Sequence, residues 1–430
     1  MKIFGTHDDN TIEQFEDVSS RAVKSALMAD GHLGKVMPIG GVAAYDNKVS
    51  VVGVGSDIGC GNCAIKTNLT LEHTFGLRAK EIRDGPYRWT DNQWGNSLAD
   101  EIFNSLEFGL GTTNALHDAP RDHRIFHEAA WWIVPQEHRV GLMEKARNQL
   151  GTIGSGNHYV DIFVDEDGYL WVGVHFGSRG FGHTVASNFI ALSQGHPWGF
   201  RGAKEIEVLL DLDTQLGKDY WALMELAGRY AYAGRAWVAR KVVSIMGGQE
   251  VDMVHNHHNF AWKEIQWVDS VPRELIVVRK GATPAFPGQR GFVGGSMGDD
   301  AVILEGTHVT SLRGQGNTSS LGEVWETQEA ALYSTVHGAG RVMSRTQAKG
   351  KVSKAGVVKK VGKVTQEMMD EWLTKKGVVR RGGDLDESPH AYRRLDDVLK
   401  AQGDTVTILN TLRPLIVCMA PGKLFDPYKD

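Results

Sequence analysis

Cysteine is scarce in this chain, with only Cys60, Cys63 and Cys418 among 430 residues. Three thiols cannot form the disulfide framework of a small secreted protein. No apolar run approaches the roughly 18 residues that a membrane-spanning helix needs, and the first residues lack the basic and apolar segments of a secretory signal. We therefore expect a cytoplasmic protein that does not contact a membrane.

The chain also lacks a net positive charge, because its formal charge at pH 7 is −5. No global field therefore draws a nucleic acid toward the whole surface. The charge is uneven, however, since residues 341–381 contain 12 Lys and Arg against three acidic residues. Such a segment can contact a phosphate backbone, although charge alone slightly favours a solvated surface.

Glycine is abundant, and its 51 copies include short patterned runs such as GSDIGCG and HFGSRGFGH. Glycine in such runs lets the backbone approach a ligand closely, which is more typical of an enzyme than of a scaffold. Apolar patterns and turn residues predict an α+β fold. We expect residues 1–430 to form a single domain, with 307–328 as an irregular surface excursion.

Local patterns predict the main helices and strands. Paired strands are expected within 36–66 around Asp46-Asn47, then a helix at 141–150, strands at 157–164 and 169–176, a long helix at 204–246, short strands at 274–279 and 301–304, helices at 366–376 and 391–402, and a last strand at 406–418. The polar motifs are spread along these elements, which indicates one composite site.

Five side chains of metal-binding type stand at glycine-framed or strand-end positions, namely Asp57, Cys60, His158, His175 and His255. A carboxylate, a thiolate and three imidazoles suit a transition metal such as Zn, Fe or Mn. Each residue alone is equally typical of an ordinary buried or hydrogen-bonded side chain. The set as a whole predicts a metal site.

Neighbouring motifs have weaker alternative interpretations. A zinc site at Cys60 and Cys63 needs a second ligand pair at fixed spacing, which the chain lacks, so we expect Cys63 to be a buried structural thiol. The letters HNH at 255–257 are not the nuclease motif, because three adjacent residues cannot span its ββα unit. We expect His257 and His258 to support the site from behind or to lie on the surface.

His337 begins the run HGAGR, whose small residues leave space for a bulky group on the ring. A neutral imidazole is a competent covalent nucleophile, and Arg341 could neutralise a phosphate. Spacing alone does not distinguish a nucleophile from a packed or metal-bound histidine. The loops RKGAT at 279–283 and GSMG at 295–298 have phosphate-binding character, but each is a weak signal.

In their order, these motifs resemble those of the RtcB family of RNA-splicing ligases. The matching runs are DGHLG at 30–34, VGSDIGCG at 54–61, GTIGSGNH at 151–158, HFGSRGFGH at 175–183, HN at 255–256, RKGAT at 279–283, GSMG at 295–298, HGAGRVMSR at 337–345 and SPHAYRRLDDVL at 388–399. They extend over nearly the whole chain, and chance does not account for so many motifs in one order.

The resemblance implies a fold found essentially only in this family, together with GTP and two Mn²⁺ ions bridged by a thiolate. The implied ligands are Cys60, His175 and His255 for one ion and Asp57, Cys60 and His158 for the other. His337 matches the family nucleophile, which attacks the α-phosphate of GTP. GMP then passes to an RNA 3′-phosphate and is displaced by a 5′-hydroxyl, after hydrolysis of any 2′,3′-cyclic phosphate.

Further contacts follow from the same resemblance. The residues expected to hold GTP are Asn157, Asp161, Asn256, Gly295, Ser296, Gly338, Ala339, Gly340, Tyr392 and Lys423. Those expected to bind phosphates of GTP or RNA are Arg179, Arg279, Lys280, Arg341 and Arg345. We expect a monomer whose partner is RNA.

The chain departs from the family pattern at several nucleotide contacts. Asp161 stands where the family usually has Glu, Gly294 and Ala301 replace Pro and Ser, and the C-terminal lysine is absent near Ala420, with Lys423 as its replacement. These departures favour a divergent RNA-repair branch. Two alternatives stay open, a metal-dependent cyclic phosphodiesterase that does not use GTP and a catalytically silent RNA-binding protein.

Overall fold

The computed structural model describes residues 1–75, 93–308, 321–352 and 358–422. Helices and mixed sheets both build the fold, which confirms the predicted α+β class. Within these ranges no helix is long and apolar enough to span a lipid bilayer.

The strands are β1 (Lys2–Ile3), β2 (Lys24–His32), β3 (Ile39–Tyr45), β4 (Lys48–Ser50), β5 (Gly61–Thr70), β6 (Tyr159–Val164), β7 (Tyr169–Phe176), β8 (Leu209–Asp211), β9 (Glu250–His257), β10 (Asn259–Val268), β11 (Val271–Lys280), β12 (Ala282–Pro284), β13 (Arg290–Val293), β14 (Ala301–Gly306), β15 (Ser334–Val336), β16 (Gly350–Val352), β17 (Val358–Val361), β18 (Val379–Gly383) and β19 (Val406–Pro421).

The α-helices lie between these strands and cover both large sheets. They are α1 (Asp9–Ser19), α2 (Val51–Val54), α3 (Leu71–Phe75), α4 (Gln93–Ser105), α5 (Gln136–Gln149), α6 (Arg179–Ser193), α7 (Gln215–Ile245), α8 (Leu321–Ala330), α9 (Arg345–Lys349), α10 (Gln366–Lys376) and α11 (Leu395–Gln402). The longest, α7, packs across β5 and β7. The same helix also approaches β10 closely, because Gly228 leaves room for the Phe260 ring, to which a Cβ atom would be only 2.6 Å away.

The first large sheet has the strand order β1-β2-β3-β11-β10. Its strands are antiparallel neighbours except for β1, which pairs with β2 in parallel. Strand β2 is buried over Ser25–Gly31, so its polar residue Asp30 is carried into the interior near the end of the strand.

The second large sheet has the order β13-β14-β19-β6-β7-β5-β9, with β18 beside β19. The register pairs Gly61 of β5 with Phe176 of β7 and with His257 of β9. It also pairs Tyr159 of β6 with His175. Four strands therefore start or end at one edge, and the residues next to these ends come together there.

Several predicted elements are confirmed. Strands 157–164 and 169–176 are β6 and β7, the helix predicted at 366–376 is α10, and the last strand contains 406–418. The segments 274–279 and 301–304 lie within β11 and β14, and 141–150 overlaps α5. These segments share strong local periodicity, which explains why the sequence identifies them.

Other predictions were wrong. The helix predicted at 204–246 begins only at Gln215, because residues 209–211 pair with β4 and Thr214 caps the helix by accepting the Gly217 N–H at 3.1 Å. The apolar run after Asp46-Asn47 becomes helix α2 beyond Ser50, and β3 pairs with β2 and β11 and not with β4.

Two further boundaries shift. The helix predicted at 391–402 begins at Leu395, since Arg394 is extended. In the predicted excursion 307–328, residues 309–320 lie outside the described ranges, whereas residues from Leu321 onward form helix α8 and are not irregular.

Candidate active site

A thiol and two imidazoles meet at the shared edge of the second sheet. The Sγ atom of Cys60 lies 3.8 Å from the Nε2 atoms of both His158 and His175. The three donor atoms all lie within 4.8 Å of one another. The Oδ2 atom of Asp57 lies 3.2 Å from Nε2 of His158. The structure thus brings four of the five predicted metal ligands together.

The turn before Cys60 depends on glycine. Gly59 has φ of +70° and lies so close to helix α7 that a Cβ atom would be 3.1 Å from Cα of Gly228. The turn is closed by the Cys60 N–H, which donates to the carbonyl of Asp57 at 3.0 Å. This hydrogen bond holds the carboxylate and the thiol on one turn of backbone.

Hydrogen bonds fix the orientation of both imidazole rings. The Nδ1 atom of His158 donates to the carbonyl of Ile153 at 2.9 Å, and Nδ1 of His175 donates to Oδ1 of Asn62 at 2.6 Å. A histidine whose Nδ1 carries the proton presents a bare lone pair on Nε2. Both lone pairs therefore point toward Cys60, as metal ligands would.

The charges of the cluster fit a cation. Burial lowers the pKa of His175 well below its ordinary value, so the ring is neutral. Burial alone would raise the pKa of Asp57, but its hydrogen-bonded and charged neighbours outweigh burial and lower the value to about 2. Burial raises the pKa of Cys60 well above normal, so a thiolate there needs a metal ion for its formation.

His255, predicted as the fifth ligand, does not join this cluster. It pairs across the sheet with Cys63 and lies on the face that packs against α7, where its Nε2 accepts a hydrogen bond from Nε of Arg235 at 2.9 Å. Because side chains alternate along a strand, His255 and His175 lie on opposite faces. The assignment of His255 as a ligand was therefore wrong.

His258, and not His255, lies beside this cluster. It is the residue after β9, it is buried, and its ring stacks on that of His175 with centroids 5.0 Å apart. Its ring also lies 4.9 Å from that of His337. His257 is buried as well, which excludes the surface alternative for both residues and leaves His257 in the expected supporting position behind the site. The sequence contains a second His-Asn pair, His258-Asn259, but does not distinguish it from His255-Asn256.

His337 is held by a buried carboxylate that the sequence did not identify as part of the site. The Oδ2 atom of Asp30 lies 2.6 Å from Nδ1 of His337 and accepts the backbone N–H groups of His337 at 3.0 Å and Gly338 at 3.3 Å. Burial alone would raise the pKa of Asp30, but interactions with His337 lower it overall. The available signal was the glycine-framed run DGHLG at 30–34.

Most residues expected to hold a nucleotide surround this centre. The Nδ2 atom of Asn157 lies 3.4 Å from Nε2 of His175, and the Asn256 side chain accepts the Phe292 N–H at 3.0 Å. Asp161 is buried, and burial raises its pKa well above normal. Within the described ranges, Oδ1 of Asp161 and Nδ2 of Asn256 are buried without a hydrogen-bond partner.

The small-residue loops lie beside His337. Gly338 forms an isolated bridge with Gly294, and a Cβ atom at Gly340 would collide with the carbonyl of Asp30. Ala339 is buried, and Gly295 is so close to the carbonyl of Asp300 that a side chain would collide with it. The Ser296 hydroxyl donates to Oδ2 of Asp299 at 2.5 Å. Lys423 lies outside the described residues.

Comparison with known proteins matches nearly the entire chain. The family model described as "RtcB: tRNA-splicing ligase RtcB" covers residues 14–420. This chain belongs to the RtcB family. Proteins named tRNA-splicing ligase RtcB from Archaeoglobus fulgidus and Thermococcus kodakarensis are each 30% identical to it, over 96% and 95% of this chain and 92% and 90% of their own lengths. The RNA-splicing ligase RtcB of Escherichia coli is 29% identical over 92% of this chain and 89% of its own length.

The arginines and the lysine expected to bind phosphates have different surroundings in this RtcB family member. Arg179 lies in the site, with Nη1 3.4 Å from Nδ1 of His158. Arg279 is fully buried and donates to both oxygens of Glu264 at 2.7 and 3.0 Å, to Ser334 and to the carbonyl of Leu332. Because its hydrogen bonds are engaged inside the protein, the phosphate role predicted for Arg279 was wrong.

The remaining basic residues line the region next to His337. Lys280 donates to the carbonyls of Lys35 at 2.7 Å and Val52 at 3.3 Å, which directs it away from solvent. Arg341 donates to the Tyr392 hydroxyl at 2.8 Å, and its guanidinium lies 4.8 Å from the centre of that ring. Arg345 donates to Asp386 at 3.0 Å and also bonds Glu387. The Tyr392 hydroxyl donates to Glu387 in turn.

Proposed function

We propose that this chain is a GTP- and Mn²⁺-dependent RNA ligase that joins a 3′-phosphate or 2′,3′-cyclic phosphate end to a 5′-hydroxyl end through a covalent GMP on His337. One observation carries the proposal. The His337 imidazole is bound through Nδ1 to Asp30 and lies beside His258, which in turn stacks on the metal-binding cluster. A nucleophile next to a cation site is the arrangement that nucleotidyl transfer requires.

The residues present fit two Mn²⁺ ions. Cys60, His175 and His258 would hold one ion, and Asp57, Cys60 and His158 the other. A thiolate, neutral imidazoles and a carboxylate form a donor set suited to a first-row transition metal. When bound, the ions would supply positive charge that stabilises the phosphate oxygens during transfer.

The Asp30–His337 pair supplies the nucleophile. The carboxylate holds the proton on Nδ1 and leaves the lone pair of Nε2 for attack on the α-phosphorus of GTP. A nitrogen–phosphorus bond forms, the bond from the α-phosphorus to the bridging oxygen breaks, and pyrophosphate leaves with that electron pair. The positive charge on the imidazole is balanced by Asp30.

Two transfers to RNA complete the proposed reaction. An RNA 3′-phosphate oxygen attacks the His337-bound phosphorus, which releases neutral His337 and forms a phosphoanhydride with GMP. A 5′-hydroxyl oxygen then attacks the RNA phosphorus, GMP leaves, and the hydroxyl proton passes to solvent. The unpartnered Oδ1 of Asp161 and Nδ2 of Asn256 are polar atoms that a bound nucleotide could satisfy.

A joining assay tests this proposal against its alternatives. RNA fragments with a 2′,3′-cyclic phosphate end and a 5′-hydroxyl end are incubated with GTP and Mn²⁺, with and without each cofactor. We expect joining that requires both cofactors and His337. Opening of the cyclic phosphate without any joining, at a rate independent of GTP, would favour a phosphodiesterase and contradict the proposal. RNA binding without a change in its ends would favour a silent binding protein.

A further inference from the structure

Arg235 lies in the middle of helix α7 and is completely buried. Its Nη1 atom donates to two backbone carbonyls, that of Gly59 at 2.7 Å and that of Phe176 at 2.5 Å. Its Nε atom donates to Nε2 of His255 at 2.9 Å, and its Nη2 atom lies 3.0 Å from Nδ1 of His257. A single guanidinium thus contacts three separate chain segments.

Each of these segments carries one residue of the proposed metal site next to the contact. Gly59 directly precedes Cys60, Phe176 directly follows His175, and His257 directly precedes His258. The guanidinium therefore contacts the residue next to each of the three ligands proposed for one ion, through the main chain at Gly59 and Phe176 and through the side chain at His257. The planar fork of arginine, with donors in fixed directions, is suited to such a clamp in a way that lysine is not.

The environment of Arg235 is unusual for a buried cation. Among the residues that the structure describes, its hydrogen-bond acceptors are carbonyls and imidazoles, and no carboxylate pairs with it. Burying a charge without an ionic partner is unfavourable, and an apolar residue often stabilises such a position better. A residue that is unfavourable for the stability of the fold is expected where that residue serves a functional site.

We propose that Arg235 is a positioning residue that sets the spacing of the metal ligands Cys60, His175 and His258 by clamping their three chain segments to helix α7. This inference rests on the proposed metal-dependent function. It assigns no contact between Arg235 and substrate. It predicts that loss of the clamp alters the metal site while the fold persists.

Cobalt binding is the direct test, because a Co²⁺–thiolate bond has its own absorption and requires no catalytic turnover. The unaltered protein, Arg235→Met, Arg235→Lys and Arg235→Gln are titrated with Co²⁺, and folding is monitored by circular dichroism and thermal unfolding. Arg240→Met is the control, because Arg240 lies on the same helix but forms a surface ion pair with Glu250. Removing groups that orient ligands typically weakens metal affinity by roughly 10- to 100-fold.

We expect Arg235→Met to lose at least about tenfold in Co²⁺ affinity and to shift the thiolate absorption, whereas Arg240→Met matches the unaltered protein. If Arg235→Met does not fold, a folded Arg235→Lys or Arg235→Gln with the same defects supports the proposal. Unchanged affinity and absorption in any folded Arg235 variant overturn it. Failure of the unaltered protein to form a Co²⁺–thiolate band would instead contradict the proposed metal site itself.

Discussion

The Oδ2 atom of Asp30 lies 2.6 Å from the Nδ1 atom of His337, although the two residues are separated by 307 positions in the chain. The same oxygen accepts the backbone N–H of His337 and that of Gly338. The carboxylate therefore fixes both the ring and the main chain that carries it. This pair selects the tautomer in which Nδ1 carries the proton and Nε2 is unprotonated.

Replacing Asp30 with Asn should impair guanylylation while metal binding persists. An amide oxygen in the same place could still accept the proton of Nδ1, but it would not balance the charge that develops on the ring. An amide nitrogen there would favour the wrong tautomer. In a comparable carboxylate–histidine pair of another enzyme class the loss is on the order of 10⁴-fold. Single-turnover rates of GMP transfer measure the effect, and a rate equal to that of the unaltered protein would contradict this role.

His258 and His255 should differ as metal ligands. We expect His258→Ala to weaken Mn²⁺ binding strongly, since the His258 ring stacks on that of His175 beside the cluster. His255→Ala should have a smaller effect, because it removes only one acceptor of Arg235. Calorimetric titration with Mn²⁺ compares the two. Stronger loss in His255→Ala would restore the original assignment from the sequence.

The metal-free protein should lose stability as the pH falls below about 6.5, the ordinary pKa of histidine. Burial lowers the pKa of His175, His255, His257 and His258 well below that value. The unfolded chain therefore binds protons that the folded chain excludes, and each such histidine contributes up to about 1.4 kcal/mol per pH unit.

Urea unfolding with a chelator present, at pH values from 7.5 to 5.5, measures this dependence. His257→Asn should show a shallower loss of the free energy of unfolding than the unaltered protein, because it lacks one titrating group. Equal slopes for the two proteins would show that His257 binds protons equally in the folded and unfolded states, and would contradict this prediction.

RNA binding should depend on the exposed lysines in and just after the β16–β17 hairpin. Much of the basic run 341–381 is paired with acids, as for Lys349 with Asp384 and Arg381 with Asp100. Lys359, Lys360 and Lys363 are exposed, and no ion pair is seen for them within the described ranges. Replacing all three with Ala should reduce the log–log salt slope of single-stranded RNA binding by roughly two units.

A matched variant in which Lys218, Lys263 and Lys400 become Ala provides the control, because these exposed lysines lie on other elements. The hairpin variant should keep its rate of guanylylation. Identical salt slopes in the hairpin variant and the control would show that the run is only a solvated surface.

Local sequence predicted those elements whose pattern is decided by neighbouring residues. Strand β7 combines a continuous apolar run with an acidic turn before it, and the structure contains the strand at the predicted residues. The run after Ser50 is equally rich in β-branched residues, but Ser50 caps a short helix there by accepting the Gly53 N–H at 2.8 Å. Tertiary context overrides propensity in such short segments.

The residues of the site also divide into those that local sequence could predict and those that it could not. Asp57, Cys60, His158 and His175 could be predicted because each lies next to a glycine turn or at a strand end. The choice between His255 and His258 could not, because it depends on which residue ends β9 and on the face of the sheet that each side chain occupies. The pairing of Arg279 with Glu264 was also inaccessible, since it joins two strands whose register is known only after folding.

The most direct test of the whole account is the site of GMP attachment. The protein is incubated with Mn²⁺ and GTP, and the modified peptide is mapped by mass spectrometry beside a His337→Ala control that retains the metal ligands. We expect a single acid-labile GMP on the peptide that contains His337, and no adduct in the control. An adduct on Lys280 or another lysine, or an adduct that persists in His337→Ala, would contradict the central claim.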